Sequence, residues 1–120
     1  ELVDNALAKN QKKTLYILNE NNFANEDSIL IARIFINKLK RLLKIHSEVK
    51  AKKNIESAIS SFKPPIFWKE KDIVKKQIMN WSDDKLRELI VKVNDLELQI
   101  KKHPYSSTNL VTNFILEQTF

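Results

Sequence analysis

Apolar side chains recur every three or four positions along much of this chain, a spacing that places them on one face of an α-helix. The clearest case begins after Ser82, a favourable N-cap residue, and ends at Pro104, which cannot continue a helix. We therefore predict an amphipathic helix over about residues 83–103. Its apolar seam consists of Leu86, Leu89, Ile90, Val93, Leu96 and Ile100.

The longest predicted helix covers about residues 26–50, and its first half is apolar on more than one side. Ile29, Ile34 and Ile36 lie beside the main stripe, so we expect other helices to surround this half. A β-strand over 29–36 is the alternative, but the helical period continues beyond this run without a breaker. The main stripe consists of Ile31, Ala32, Phe35, Leu39, Leu42, Leu43 and Val49.

Shorter helices are predicted around these two, because the same apolar spacing returns between polar or proline-containing breaks. Leu15 and Leu18 are expected to face the core from the second helix, and Pro64 and Pro65 separate the fourth helix from the fifth. The predicted fold class is all-α, a single helical bundle of about six to seven helices with residues 1–120 in one domain. The shorter helices cover about residues 2–10, 11–22, 54–62, 69–81 and 108–118.

Glycine and cysteine are both absent from the chain. Without cysteine there is no disulfide or thiolate metal site, and without glycine there is no glycine-based phosphate-binding loop. Helices joined by short polar turns manage without glycine, and we expect Asn10 and Asn22–Asn25 to make such turns.

No segment approaches the roughly 20 consecutive apolar residues that a membrane span needs. We therefore expect a soluble, cytoplasmic protein with no membrane contact. The first residue is Glu1 rather than methionine, so we expect the domain to be a fragment of a longer chain.

The net charge of +6 suggests a polyanionic partner, but only three of the 21 basic residues are arginine and the rest are lysine. A compositional drift towards lysine, asparagine and isoleucine would raise the charge without any functional cause. Four basic residues of the longest predicted helix share its polar side. This stripe, Arg33, Lys40, Arg41 and Lys44, is either a solvated face, which we favour, or a contact for phosphates.

The chain shows no arrangement of residues that is typical of an active site or a metal site. His46 and His103 are the only histidines, and they are far apart without ligand-like neighbours. Asp83 and Asp84 could be paired acids, but two carboxylates in a first helical turn ordinarily complement the helix dipole. We therefore predict a non-enzymatic protein with no catalytic residue, metal ion or cofactor.

Four apolar residues lie outside the main seams of the last two predicted helices, and these are Val91, Leu98, Leu116 and Phe120. Apolar residues on two faces of a helix indicate either a central helix or a surface that a partner covers. We take these four as candidate residues of a subunit interface.

The loop after the seam helix surrounds one aromatic residue with basic ones. Lys101 and Lys102 precede Pro104, and Tyr105 follows immediately. The tyrosine ring can stack on an unpaired base while the lysines face phosphates. The alternative is that the ring folds back over the end of the bundle.

Three segments together resemble one known family: 63–69 (Lys-Pro-Pro-Ile-Phe-Trp-Lys), Trp81–Ser82 at the start of the seam, and 96–101 (Leu-Glu-Leu-Gln-Ile-Lys). They are similar to the C-terminal domain of the delta subunit of the bacterial DNA polymerase III clamp loader. The likeness runs through most of the chain and is densest from about 62 to 104. The chain departs from the family in having no glycine.

This resemblance implies an all-helical collar domain that joins other clamp-loader subunits, of the gamma/tau and delta prime types, into a ring. The loader opens the sliding clamp and places it on primed DNA, and the delta subunit touches the clamp through N-terminal domains. Tyr105 falls where relatives carry an aromatic residue that faces the template strand. The alternative function is a free-standing basic helical module that binds DNA or RNA.

Overall fold

The computed structural model describes residues 1–20 and 23–120. In these ranges the chain forms seven α-helices, three short 3-10 turns and no β-strand, which confirms the predicted all-α bundle. The α-helices are α1 (Leu2–Leu7), α2 (Gln11–Glu20), α3 (Ser28–Lys52), α4 (Ile55–Ser61), α5 (Lys71–Asn80), α6 (Asp83–Lys102) and α7 (Ser107–Thr119). The 3-10 turns are Asn25–Asp27, Trp68–Glu70 and Pro104–Ser106.

Helix α3 is the centre of the bundle. Its most extensive contact is with α6, and it also packs against α1, α4, α5 and α7. The rings of Phe35 on α3 and Phe114 on α7 meet edge to face, with centroids 5.4 Å apart and planes at 88°. The prediction that other helices surround the first half of α3 is correct for Ile29 and Ile36, which are partly buried, but not for Ile34, which is 37% exposed. The fully buried apolar side chains of α3 are Ala32, Phe35, Leu39, Leu42 and Ile45, of which only Ile45 lies outside the predicted stripe.

Helix α6 follows the predicted pattern closely. The Ser82 hydroxyl accepts a hydrogen bond from the backbone N–H of Lys85, at 3.3 Å, and so caps the helix as predicted. The predicted seam faces α3, and Ile90 is the one member that is only partly buried. The buried members are Leu86, Leu89, Val93, Leu96 and Ile100.

Side chains at the end of α5 hold α1 in place through its C-terminal carbonyl groups, which have no partner within a helix. The indole Nε1 of Trp81 donates to the carbonyl oxygen of Leu7, at 2.7 Å. Asn80 donates likewise to the carbonyl oxygen of Ala8, at 3.1 Å, and the side chain of Gln77 donates to the backbone of α1. These bonds attach a helix that is too short to be stable alone.

The turns of this glycine-free chain differ from the expectation. Lys9 and Lys53, not asparagines, adopt the left-handed conformation, with φ of 56° and 55°. Asn10 instead caps the N-terminus of α2: its Oδ1 accepts a hydrogen bond from the N–H of Lys13, at 3.1 Å. Asn22 lies outside the described residues.

Helix α2 also presents a different face from the predicted one. Thr14 and Ile17 are buried, whereas Leu15 is 39% exposed and Leu18 is only partly buried. The physical reason is that the main contacts of α2 in the described part of the chain are with α1 and α7, so a narrow stripe of side chains is enough to cover them. The prediction for Leu15 is therefore wrong.

The contact between α3 and α6 can be tested by truncating one buried side chain on each of the two helices. We expect Leu39→Ala and Leu89→Ala each to lower the free energy of unfolding by about 2–5 kcal/mol, because each leaves a cavity in a closed core. Both side chains are at most 2% exposed. Val91→Ala on the outer side of α6 is the control and should cost less than about 0.5 kcal/mol. Urea unfolding measures all three, and a small effect at both core sites would contradict this packing.

Candidate functional site

The loop between α6 and α7 presents Tyr105 to solvent. Pro104 opens the 3-10 turn Pro104–Ser106, and the side chain of Tyr105 within it is 94% exposed. The ring therefore does not fold back over the bundle end, and that alternative is wrong. A pocket of ≈ 410 Å³ lies beside the loop, with Ile29 and Ile100 among its apolar lining residues.

The two lysines before Tyr105 differ in their surroundings. Lys101 Nζ lies 3.7 Å from a carboxylate oxygen of Glu97, and the same oxygen is 3.5 Å from Nε of Arg33. Lys102 is exposed and has no acidic partner within the described part of the chain. Within the described residues, Lys102 is therefore a cation without an ion pair, whereas Lys101 and Arg33 share one carboxylate oxygen of Glu97.

The basic stripe of α3 is interrupted by acidic side chains from neighbouring helices and turns. Arg41 lies 3.6 Å from Glu70, and Arg33 pairs with a glutamate of α6 as described above. Lys40 and Lys44 are exposed and form no ion pair among residues 1–20 and 23–120. The arrangement fits the solvated face that we favoured over a continuous phosphate contact.

Three of the four candidate interface residues are exposed. Val91 is 68% exposed, Leu98 48% and Phe120 62%, whereas Leu116 is only partly buried. At 100° per residue, Val91 and Leu98 lie on the side of α6 opposite its buried seam. The alternative that α6 is enclosed on both faces is therefore wrong for this part of the bundle.

A groove of ≈ 470 Å³ runs between α6 and α7, beside this outer face. Val91 is part of its wall, whereas Leu98, Leu116 and Phe120 are not among its lining residues. The structure thus brings Val91 to the groove and Leu98 to the adjoining helix face, but does not gather all four residues in one pocket. The groove is lined by Val91, Lys92, Asp95, Leu96, Gln99, Leu110, Asn113, Phe114 and Glu117.

An exposed aromatic pair between α4 and α5 was missed as a candidate surface. Phe67 and Trp68 are 55% and 69% exposed, with ring centroids 5.9 Å apart, and Lys69 Nζ lies 5.4 Å from the Trp68 ring centroid. Ile66, which is 6% exposed, anchors the segment in the core. The spacing of apolar residues in helices gives no signal for these two residues, because they belong to no α-helix. The signal that could have indicated an exposed surface is the pair of aromatic residues shortly after two prolines.

His46 has a structural role at the start of α6. Its Nε2 lies 2.5 Å from the carbonyl oxygen of Trp81, so this nitrogen donates the bond, and its Nδ1 lies 3.6 Å from Asp83. A hydrogen bond from Lys50 holds the pKa of the Asp83 carboxyl below its usual range; the charges of Lys50, His46 and Arg87 act in the same direction, and burial opposes them. These contacts tie the end of α3 to the first turn of α6.

Groups of acidic, histidine and cysteine side chains that could hold a metal ion are not found among the described residues. Within the same residues, no helix is both long enough and apolar enough to cross a membrane.

Comparison of the chain with protein-family models, with curated proteins and with solved structures finds no match. The candidate surfaces are therefore defined by the geometry of this chain, and the clamp-loader resemblance depends on the residues quoted for it.

The pairing around Asp83 predicts a pH-dependent contribution to stability. We expect Asp83→Asn to lower the free energy of unfolding by about 1 kcal/mol at neutral pH, since it removes a carboxylate that complements the α6 dipole and pairs with Lys50. The folded-state pKa is below the unfolded value of about 3.9, so this contribution is complete above that pH and is lost as the pH falls through the folded pKa.

Urea unfolding of the wild type and Asp83→Asn at neutral and strongly acidic pH checks this expectation. Asp84→Asn is the matched control, because Asp84 shares the first helical turn and is exposed. A stability difference for Asp83→Asn that is equal at both pH values would show that the charge of the carboxylate is not its source.

Proposed function

We propose that this chain is the oligomerisation (collar) domain of a clamp-loader delta subunit, which helps to load the sliding clamp onto primed DNA during replication. The observation that carries the proposal is the uncovered apolar face of α6, formed by Val91 and Leu98 beside the α6–α7 groove. A domain that buries its other seams well but leaves this face open is suited to assembly with other subunits. The resemblance of segment 63–69 and of Trp81–Ser82 supports the choice of family.

The lining of the groove favours a protein partner over a polyanion. Its apolar part includes Leu110 and Phe114, and its charged part has Asp95 and Glu117 against the single Lys92. An apolar centre with a polar rim of both signs is the usual anatomy of a protein–protein interface. A surface for phosphates would instead carry an excess of basic residues.

In this proposal the domain has no catalytic role. Its collar partners are subunits of the gamma/tau and delta prime types, and the sliding clamp is contacted by N-terminal domains of the parent chain. The complex works on DNA in the cytoplasm. Primer–template DNA is contacted through the assembled loader, with Tyr105 offering its ring to a template base and Lys102 facing a phosphate.

The alternative of a free-standing nucleic-acid-binding module has less support. The charge of Arg33 and Arg41 is offset by glutamates, so the largest basic stripe is weakened as a phosphate contact. The two functions also differ in salt dependence, because binding driven by phosphates weakens steeply as salt rises.

The interface is tested by placing a charge on the outer face of α6. We expect Leu98→Glu to raise the Kd for the partner subunits by about tenfold or more, since assembly would then bury an unpaired carboxylate. Met79→Glu is the matched control, because Met79 is an exposed apolar residue that lies on α5 and not on the outer face of α6. Size-exclusion chromatography and surface binding with purified gamma/tau and delta prime type subunits measure the effect.

Two results would contradict this part of the proposal. Equal weakening by Leu98→Glu and Met79→Glu would show a general effect of charge and not an interface on α6. Failure of the wild-type domain to bind the partner subunits at any salt, together with salt-sensitive binding to DNA, would favour the alternative function.

The DNA contact is tested at Tyr105 in the assembled loader. Stacking on one ring is worth about 1–3 kcal/mol per base, so Tyr105→Ala should weaken binding to primed DNA by roughly tenfold to a hundredfold. Tyr105→Phe should have almost no effect, because the ring and not the hydroxyl stacks. Affinity at one fixed salt concentration is the measurement, and equal affinities of wild type and Tyr105→Ala would exclude this role.

A further inference from the structure

Asn25 holds the Tyr105 loop from a distant part of the chain. Its Nδ2 donates to the carbonyl oxygen of Tyr105, at 3.5 Å, and its own carbonyl oxygen accepts from the hydroxyl of Ser107, at 3.2 Å. Its Oδ1 accepts from both the N–H and the hydroxyl of Thr108, at 3.1 and 2.6 Å. Asn25 therefore bonds to three residues of the segment that leads into α7, namely Tyr105, Ser107 and Thr108.

The bond to the N–H of Thr108 is a helix cap supplied from elsewhere in the chain. Thr108 is the second residue of α7, and the first N–H groups of a helix have no acceptor within it. Ser106, the residue before α7, makes no side-chain cap bond. Asn25 thus satisfies a donor that the local sequence leaves free, and in doing so it sets where α7 begins.

The same bonds also restrain the backbone that carries the Tyr105 side chain. The carbonyl of Tyr105 is held by Asn25, and Ser107, which is 1% exposed, also donates to the carbonyl of Pro104, at 2.8 Å. With the backbone held on both sides of Tyr105, its ring projects into solvent beside the ≈ 410 Å³ pocket, which Asn25 also lines. The held backbone fixes the direction in which the Tyr105 side chain leaves the loop, while the exposed ring can still rotate about its own side-chain bonds.

We propose that Asn25 is a positioning residue for Tyr105, which holds the ring so that its face is available to an unpaired nucleobase. The inference depends on the proposed function, because it assumes that Tyr105 stacks on DNA. Asn25 acts through the loop and not through contact with the nucleic acid. A loop backbone that is already ordered loses less entropy when a base stacks on the ring that it carries.

A double-mutant cycle in the assembled loader tests whether Asn25 acts through Tyr105. Asn25→Ala should weaken binding to primed DNA by roughly threefold to tenfold in the wild-type background. In the Tyr105→Ala background it should change the affinity by less than about twofold, since the ring it positions is gone. A residue with a merely structural role would have the same effect in both backgrounds, and that result would overturn the inference.

A matched pair at the other end of the bond gives a second test. Thr108→Val removes the hydroxyl that donates to Asn25 and should follow Asn25→Ala in DNA affinity. Thr108→Ser retains the hydroxyl and should behave as the wild type. If both single variants, Thr108→Val and Asn25→Ala, bind primed DNA with wild-type affinity, the inference is overturned.

Amide hydrogen exchange in the isolated domain separates a failed inference from a failed function. Asn25→Ala should speed exchange at Ser106, Ser107 and Thr108 while leaving the seam of α6 protected. If Tyr105→Ala leaves DNA affinity unchanged, the DNA role in the proposed function fails. If Asn25→Ala leaves exchange at these three amides unchanged, Asn25 does not hold the loop and the inference itself fails.

Discussion

The packing of α3 against α6 is the contact on which the rest of the bundle depends. Both helices are long enough to offer a continuous apolar seam, and the side chains of Leu39 and Leu89 are almost completely removed from water there. The short helices gain their stability by covering what this pair leaves open, since helices of six to ten residues are marginal alone. The same contact buries one side of α6 against α3, and Val91 and Leu98 on the opposite side remain exposed.

Polar contacts between distant residues complete what the apolar seams begin. The end of α5 satisfies the carbonyl groups of α1, and Asn25 satisfies an N–H of α7. In both cases a polar group at a helix end is satisfied by a side chain from another part of the chain. A chain without glycine has few inexpensive ways to close its helix ends, and Lys9 and Lys53 show the backbone strain that it tolerates instead.

The helices and the core could be predicted from the sequence because their information is local and periodic. The seam of α6 and its Ser82 cap are patterns that a single stretch of sequence contains. The buried face of α2 could not be predicted, since the exposure of Leu15 depends on how α1 and α7 pack against that helix. The role of Asn25 was equally hidden, because its partners follow about 80 residues later in the chain.

Charge is the property for which composition gives the least guidance to function. The net charge of +6 describes the whole chain, yet the side chains are arranged so that Arg33 and Lys101 share the carboxylate of Glu97 and Arg41 lies beside Glu70. In the loop before Tyr105, Lys102 is the lysine that has no ion pair within the described part of the chain. One ring and one cation cannot offset the cost of association by themselves, so the proposed contact with DNA depends on the assembly that we propose for this domain. The uncovered face of α6, with Val91 and Leu98, is the surface that we propose for this assembly.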